Sequence, residues 1–327
     1  MMLVLIGSRR AWIACAMVFV SVCDTARAER VWPDRPITLV VPTAPGSGAD
    51  VLARIVAPVL QQALGQPVVV DNRAGANSQL GATAAARAAP DGYTLFLGSA
   101  TTHAVNPSLY GAQLGYRPGD LEVFATVGAG PVLWLVSTSV GQDTAQGFAA
   151  WTRKNDATAS CAYGNSVGQV ACQLFRLRLG VEGQAVPYRS TPQALNDLAA
   201  GFVSSAFADA AVAMPYLQSG KIKALAVAHS ERLSVLPDVP TTRELGQPDL
   251  QLLAWSGVFA PRGTPLPVLQ RLTALVVAAN ATPQAQAQLA RTGGVQLPGD
   301  IASARDFVAR EAARWRDFVR ESGVKPD

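Results

Sequence analysis

The stretch Ile37 to Leu60 reads ITLVVPTAPGSGADVLARIVAPVL and sets out a strand, a turn and a helix in order. Ile37 to Val41 is a short apolar, β-branched run of the kind that makes a buried parallel strand. Pro42 and Pro45 stop it. Gly46, Ser47 and Gly48 then turn the chain so that backbone N–H groups gather at the start of a helix. Leu52, Ile55, Val56, Val59 and Leu60 recur at helical spacing and give that helix one apolar face. Such an N-terminus is an anion site, because its first N–H groups are unpaired and the helix dipole is positive there.

The strand and helix stand behind an export signal. Arg9 and Arg10 precede an apolar run from Ala11 to Val22, and Ala26-Arg27-Ala28 places small residues where a signal peptidase reads. This predicts a signal peptide over residues 1–28, cleaved before Glu29. The apolar run falls short of the roughly 20 residues of a membrane span, so no membrane insertion of the mature chain is expected. Ser8-Arg9-Arg10 leaves general and twin-arginine export both open. An anion site on an exported chain suggests capture of an external anionic solute.

Length and composition narrow the classes further. The 327 residues suffice for two ordinary domains or one large α/β unit. Charged residues are 15%, against about 25% in an average globular domain. Lys and Arg are scattered without interleaved aromatics, which argues against a nucleic-acid partner. Removing the signal takes away three arginines and one aspartate, so the formal charge of +4 becomes +2. Of four cysteines, Cys15 and Cys23 lie in the signal. Cys161 and Cys172 remain, either as a disulfide in an oxidising compartment or as two buried thiols.

Strand-like and helix-like runs alternate along the chain. PVVV at Pro67 and YTLFL at Tyr93 follow the first strand, with a turn from Asp71 to Asn77 and a small-residue helix near Gln79 to Ala89 between them. That alternation argues a parallel, doubly wound sheet. A second series begins near Val132 and runs through Ser160–Tyr163, Ala185–Tyr188, Val203–Ala208 and Ala224–Ala228. AWSGVFA at Ala254 is a further strand, and the end of the chain is helical. Two series joined by two strand-like crossings predict two α/β domains with a ligand cleft between them.

Two enzymatic readings compete at the glycine turns. Gly46-Ser47-Gly48 followed by Asp71 is a degenerate dinucleotide fingerprint, but Val51 stands where the third glycine would allow close packing. Gly164-Asn165-Ser166-Val167-Gly168 matches the GxSxG nucleophile elbow, and Asp209 and His229 follow in hydrolase order. That makes Ser166 a candidate nucleophile, His229 its base and Asp209 the orienter. The plainer alternative is a second donor turn facing the cleft. His103 and His229 are the only histidines, which excludes a multi-histidine metal site; no metal and no cofactor is expected. Trp134, Trp151, Trp255 and Trp315 are expected to pack rather than stack on a ligand.

Taken together, WPDRPITLVVP at Trp32, PGSGAD at Pro45, GQPVVVDNRAGA at Gly65, AAPDGYTLFLGS at Ala88, HAVNPSLY at His103, AYGNSVG at Ala162, VPYRSTPQALNDLAAG at Val186, KIKALAVAHSERLSVLPDVPTTRELG at Lys221 and APRGTPLPVLQRL at Ala260 resemble the Bug receptors. These are the substrate-binding components of tripartite tricarboxylate transporters. The resemblance implies a two-domain periplasmic binding fold of the Venus-flytrap, type II-like kind, each domain a sheet flanked by helices, with two inter-domain crossings. It places residues 29–127 and 250–327 in one domain and 128–249 in the other. It implies a monomeric periplasmic receptor for a small carboxylate, without catalysis, that meets membrane transporter subunits; a periplasmic sensor would share the same fold and ligand.

Carried onto this chain, the resemblance puts a ligand carboxylate at Thr43, Pro45, Gly46, Ser47 and Gly48 with Ser99, Thr101 and Thr102. Gly164, Asn165, Ser166, Gln169, Tyr188 and Arg189 would approach from the second domain, and Asp209 would read the distal end. The chain departs from the family where Ser47 replaces a usual glycine, Thr43 a frequent aromatic residue and Arg189 a frequent lysine. The two mature cysteines also look peculiar to it.

Overall fold

A computed structural model describes residues 32–326; residues 1–28, read from the sequence as a signal peptide and holding Cys15 and Cys23, lie outside the described residues. The first lobe begins as the sequence dictates. Strand β1 (Ile37–Val41) leads through the glycine turn to helix α1 (Gly48–Leu64), then come β2 (Val68–Asn72), α2 (Gln79–Ala86) and β3 (Thr94–Ser99). β1 lies parallel to both β2 and β3, with Ile37 beside Val68 and Leu39 beside Leu95. β3 runs into a π-helical turn over Thr101–Val105, continued by α3 (Asn106–Tyr110).

Strand β4 (Leu121–Ser137) is 17 residues long and serves both lobes. After it come α4 (Ala145–Lys154), β5 (Ser160–Tyr163), α5 (Ser166–Leu179), β6 (Gln184–Pro187), α6 (Thr191–Ala200), β7 (Ser205–Asp209), α7 (Ala210–Gln218) and β8 (Ile222–Val227). The second crossing, β9 (Leu253–Pro261), returns to the first sheet, followed by α8 (Leu266–Asn280), α9 (Pro283–Thr292) and α10 (Ile301–Ser322). The sheet order is β2-β1-β3-β9-β4-β7-β5-β6, with β8 also on β4.

The sheet is mixed, not wholly parallel. β9 pairs antiparallel with β3 and β4, and β4 pairs antiparallel with β7 and β8. The physical reason is connectivity. A strand that leaves one lobe and a strand that comes back must run in opposite directions, whereas helix crossovers within a lobe keep β1, β2 and β3 parallel. The first half of β4 takes β9 as neighbour and the second half, from Val132, takes β7. One continuous strand thus enters both sheets.

Three apolar clusters hold these layers. Ile37, Leu39 and Val41 of β1 pack with Val56 and Leu60 of α1 and with Leu269, Leu272 and Val276 of α8. Leu133, Leu135, Leu195 and Leu198 form the corresponding core of the second lobe. A third cluster joins the lobes through Phe96, Phe259, Trp134, Phe175 and Trp315. Trp134 meets Phe148 and Phe175 edge-on and lies parallel to Phe207. Helix α10 packs on β4, on the π-helical turn and on α5, and Arg178 of α5 pairs with Glu321 of α10. The C-terminal helix therefore belongs structurally to both lobes.

Candidate functional site

Between the sheets lies a cavity of about 700 Å³ whose lining comes from both lobes. Its walls include the starts of five helices: Ser47 and Gly48 of α1, Ser78 and Gln79 of α2, Asn165 and Val167 at α5, Ser190 and Thr191 at α6, and Asp209 and Ala211 at α7. A cavity ringed by helix N-termini is biased toward anions, since each end offers unpaired N–H groups and a positive dipole end.

The first turn is set by Asp50. Its carboxylate accepts from the Gly46 N–H (2.9 Å), Arg54 Nε (3.0 Å) and Asn72 Nδ2 (3.0 Å). Burial works against its ionisation, but Arg54, the Gly46 N–H and Asn72 outweigh that and hold its pKa below the usual value. The Ser47 N–H goes to Ala44 O, and Ser47 Oγ accepts from the Asp50 N–H while sharing a 2.6 Å hydrogen bond with Thr43 Oγ1. The donors left for a ligand here are one hydroxyl of the Thr43–Ser47 pair and the N–H groups of Gly48 and Ala49.

The second-lobe turn at Gly164 shows why glycine stands there. A Cβ would lie 2.1 Å from Thr191 N and 2.3 Å from Ser190 C, so the β5–α5 turn rests directly on the start of α6. Asn165 caps α5 through the Gly168 N–H at 3.0 Å. Tyr188 gives its ring to the cavity wall, while its hydroxyl donates to Asp197 Oδ2 at 2.8 Å. Burial, with Asp197 beside it, pushes that phenol up to about 12. Arg189 is exposed at the rim and is the sole Lys or Arg in the lining.

Asp209 closes the floor. Its Oδ1 accepts from the Val212 N–H at 3.1 Å, which caps α7. Its carboxylate also faces α1 across the cleft, because a Cβ on Gly48 would lie 3.0 Å from Asp209 Oδ1. Burial raises the pKa of Asp209, against the lowering effect of the Val212, Asp209 and Ala211 N–H groups.

Of the residues singled out in the sequence, Thr43, Ser47, Gly48, Ser99, Thr101, Gly164, Asn165, Tyr188, Arg189 and Asp209 line the cavity. Five do not. Pro45 and Gly46 are exposed on the outer side of the turn, and the Gly46 N–H is taken by Asp50. Thr102 is fully buried, with Oγ1 bonded to Ser99 N and O and to His103 Nδ1. Ser166 is fully buried, and its Oγ donates to Asn106 Oδ1 at 2.7 Å. Gln169 is buried and donates to Lys325 O.

The hydrolase constellation does not assemble. The Ser166 proton goes to Asn106, His229 Nδ1 bonds the Glu231 backbone, and Asp209 caps α7. His103 is buried, stacked on Phe259 with ring centroids 3.8 Å apart, and desolvation lowers its pKa to about 3. It is a packing residue. Cys161 and Cys172 form a disulfide that ties β5 to α5. Among the described residues no cluster of His, Cys, Asp and Glu is arranged for a metal, and no helix is long and apolar enough to cross a membrane.

The sequence reading missed part of the wall. Ala74 to Gln79, Tyr110, Gly128 to Gly130, Trp255 and Gln288 all line the cavity. Most of that surface is backbone and small side chains, which leave no chemical signature. The Asp71–Asn77 turn was the usable clue, because it follows β2 on the same sheet edge as the turns after β1 and β3.

A cleft between two α/β lobes, joined by two strand crossings and walled by helix starts, defines the fold of the periplasmic solute-binding proteins. Residues 52–324 match the family described as the tripartite tricarboxylate transporter family receptor, TctC, and the chain belongs to that family. It is 34% identical over 299 residues to Protein BugT of Bordetella pertussis, covering 90% of this chain and 91% of that one. Among solved structures, MatC from Rhodopseudomonas palustris with bound malate is 35% identical at a TM-score of 0.83, covering 88% of this chain and all of that one. An R. palustris protein solved with adipate is 31% identical at a TM-score of 0.86, covering 90% of this chain and all of that one. The periplasmic binding protein BugD is 31% identical at a TM-score of 0.84, covering 90% of this chain and 99% of that one.

Proposed function

We propose that this protein is an exported, monomeric receptor that captures a small organic carboxylate by closing its two lobes and delivers it to a membrane transporter. The observation that carries the reading is the ring of helix starts from both lobes around one cavity. Each lobe alone supplies half of the donors, so closure completes the site. A carboxylate would take the free hydroxyl of the Thr43–Ser47 pair, the first N–H groups of α1 and the Ser99–Thr101 edge from one side. Asn165, the start of α6 and Arg189 would meet it from the other. The malate and adipate held by the two R. palustris proteins support the same ligand class. The moving units would be residues 29–127 with 250–327, and 128–249, hinged at β4 and at the entry to β9.

Thermal scanning with mono-, di- and tricarboxylates, acidic amino acids and a neutral sugar tests this. A carboxylate that binds the folded state raises the melting temperature in proportion to the logarithm of its concentration. A sugar that stabilises while every carboxylate fails would remove the proposal. Labelling by a fluorophosphonate, lost in Ser166→Ala, would instead restore the hydrolase reading.

A further inference from the structure

Three consecutive residues in the cavity wall, Ala76, Asn77 and Ser78, have φ of 45°, 54° and 71°. Left-handed backbone is costly for residues with a side chain, and Ala and Ser lack the local compensation that makes Asn tolerant of it. A run of three persists only where the surroundings hold it. Ser78 stands at the N-cap of α2 yet makes no side-chain cap, so α2 holds the segment only through backbone bonds, Gln79 N–H to Ala76 O and Ala82 N–H to Ser78 O.

The restraint crosses the cleft. Asn77 Oδ1 accepts from the Ser166 N–H of α5 at 2.8 Å. Ser166 Oγ donates to Asn106 Oδ1 at 2.7 Å, and Asn106 Nδ2 returns to Asn77 O at 2.8 Å. The circuit closes through three residues, two from the first lobe and one from the second. Asn77 Nδ2 also reaches the Tyr110 hydroxyl at 3.1 Å, which fixes the amide with its oxygen toward Ser166. Asn106 and Ser166 are wholly buried, so water offers no easy substitute for these bonds.

We infer that Asn77 is a positioning residue that couples lobe closure to the shape of the ligand cavity. When the lobes meet, the Ser166 N–H engages Asn77 and the left-handed wall segment is held in place. When they part, the segment loses the Ser166 bond, keeps its first-lobe bonds to Asn106 and Tyr110, and relaxes. Closing the cleft and building that wall are then one event. The inference rests on the closure mechanism proposed above, but it stands apart from the identity of the ligand.

Hydrogen exchange of the mature chain, held closed by the carboxylate that most raises its melting temperature in the thermal panel, tests it, read on peptides over residues 74–82 and 164–170. Asn77→Gly keeps a residue that tolerates the left-handed backbone and removes the side chain. Ser166→Pro removes the N–H at the first position of α5, where proline is well accepted; Asn165, at φ −164° and ψ 170°, suits a following proline. Ser166→Ala keeps the N–H. Asn77→Gly is expected to speed exchange about tenfold in 164–170, and Ser166→Pro likewise in 74–82. Ser166→Ala is expected to leave 74–82 protected, and melting temperatures should stay within about 3 °C. Unchanged exchange in the opposite lobe for either of the first two variants, or loss in 74–82 for Ser166→Ala, overturns the inference and leaves the carboxylate reading intact.

Discussion

Gly48 and Asp209 face each other across the cleft so closely that a single methyl on Gly48 would stand 3.0 Å from Asp209 Oδ1. One residue opens α1 in the first lobe and the other caps α7 in the second. The start of a helix is thereby brought against a carboxylate of the other lobe, and Gly48 is the residue whose lack of a side chain lets the gap close. Gly48→Ala should weaken binding of the best carboxylate from the thermal panel by roughly tenfold, as modest overpacking does. Alanine suits a helix better than glycine, so stability of the free protein should change by less than about 0.5 kcal/mol. Calorimetric titration beside a urea melt separates the two effects; a parallel loss in both would mean that Gly48 serves the fold rather than closure.

Gly164 answers to backbone instead of a side chain. The hypothetical Cβ at 2.1 Å from Thr191 N has nowhere to go, because the contact is with the main chain that opens α6. Gly164→Ala should therefore cost about 3 kcal/mol or more, in the range of severe steric insertions. Chemical denaturation measures this. A loss below about 1 kcal/mol would show that the α6 start moves aside readily.

His103 makes stability depend on pH. Buried against Phe259, it stays neutral in the folded protein with a pKa of about 3, from an ordinary 6.5. As pH falls, the unfolded chain takes up this proton first, so its contribution is complete above about pH 6.5 and drains away toward pH 3. The slope is up to about 1.4 kcal/mol per pH unit. Equilibrium unfolding at stepped pH, compared with His103→Gln, should show the variant losing less stability on the acid side. Identical pH profiles would assign the acid limb to other groups.

Much of this architecture was legible before the structure. β1 and the start of α1 fell where the apolar run and the Ser47 turn place them, because the strand is buried at every position but Thr38 and the helix is capped by its own sequence. The site was legible to the level of segments. Gly46 shows the limit: its N–H is drawn inward by Asp50, a consequence of the Ser47–Asp50 spacing that sits at the helix start. Ser166 shows another: a glycine-flanked serine reads as a nucleophile or a donor, yet its partners Asn77 and Asn106 are 89 and 60 residues away. Nothing local announces such a contact. The antiparallel crossings were hidden for the same reason, since direction within a sheet depends on which lobe a strand returns to.

The Cys161–Cys172 bridge joins the edge of β5 to the body of α5 across a separation of 11 residues. Neither cysteine lines the cavity, so the bridge should act on the fold and not on the ligand. Closing so short a loop is worth about 2–3 kcal/mol on the chain-entropy model. The double variant Cys161→Ser with Cys172→Ser should melt roughly 5–10 °C lower than the oxidised protein, and dithiothreitol should lower the melting point of the parent toward the same value. Affinity for the stabilising carboxylate should stay within about twofold. A melting point that ignores both reduction and substitution would mean that α5 is fixed by the packing of its Phe175 on Trp134 and Phe207 and by α10 alone. A large loss of affinity with an unchanged melting point would instead place the bridge in the closing motion, because α5 itself lines the cavity at Val167 and Gly168.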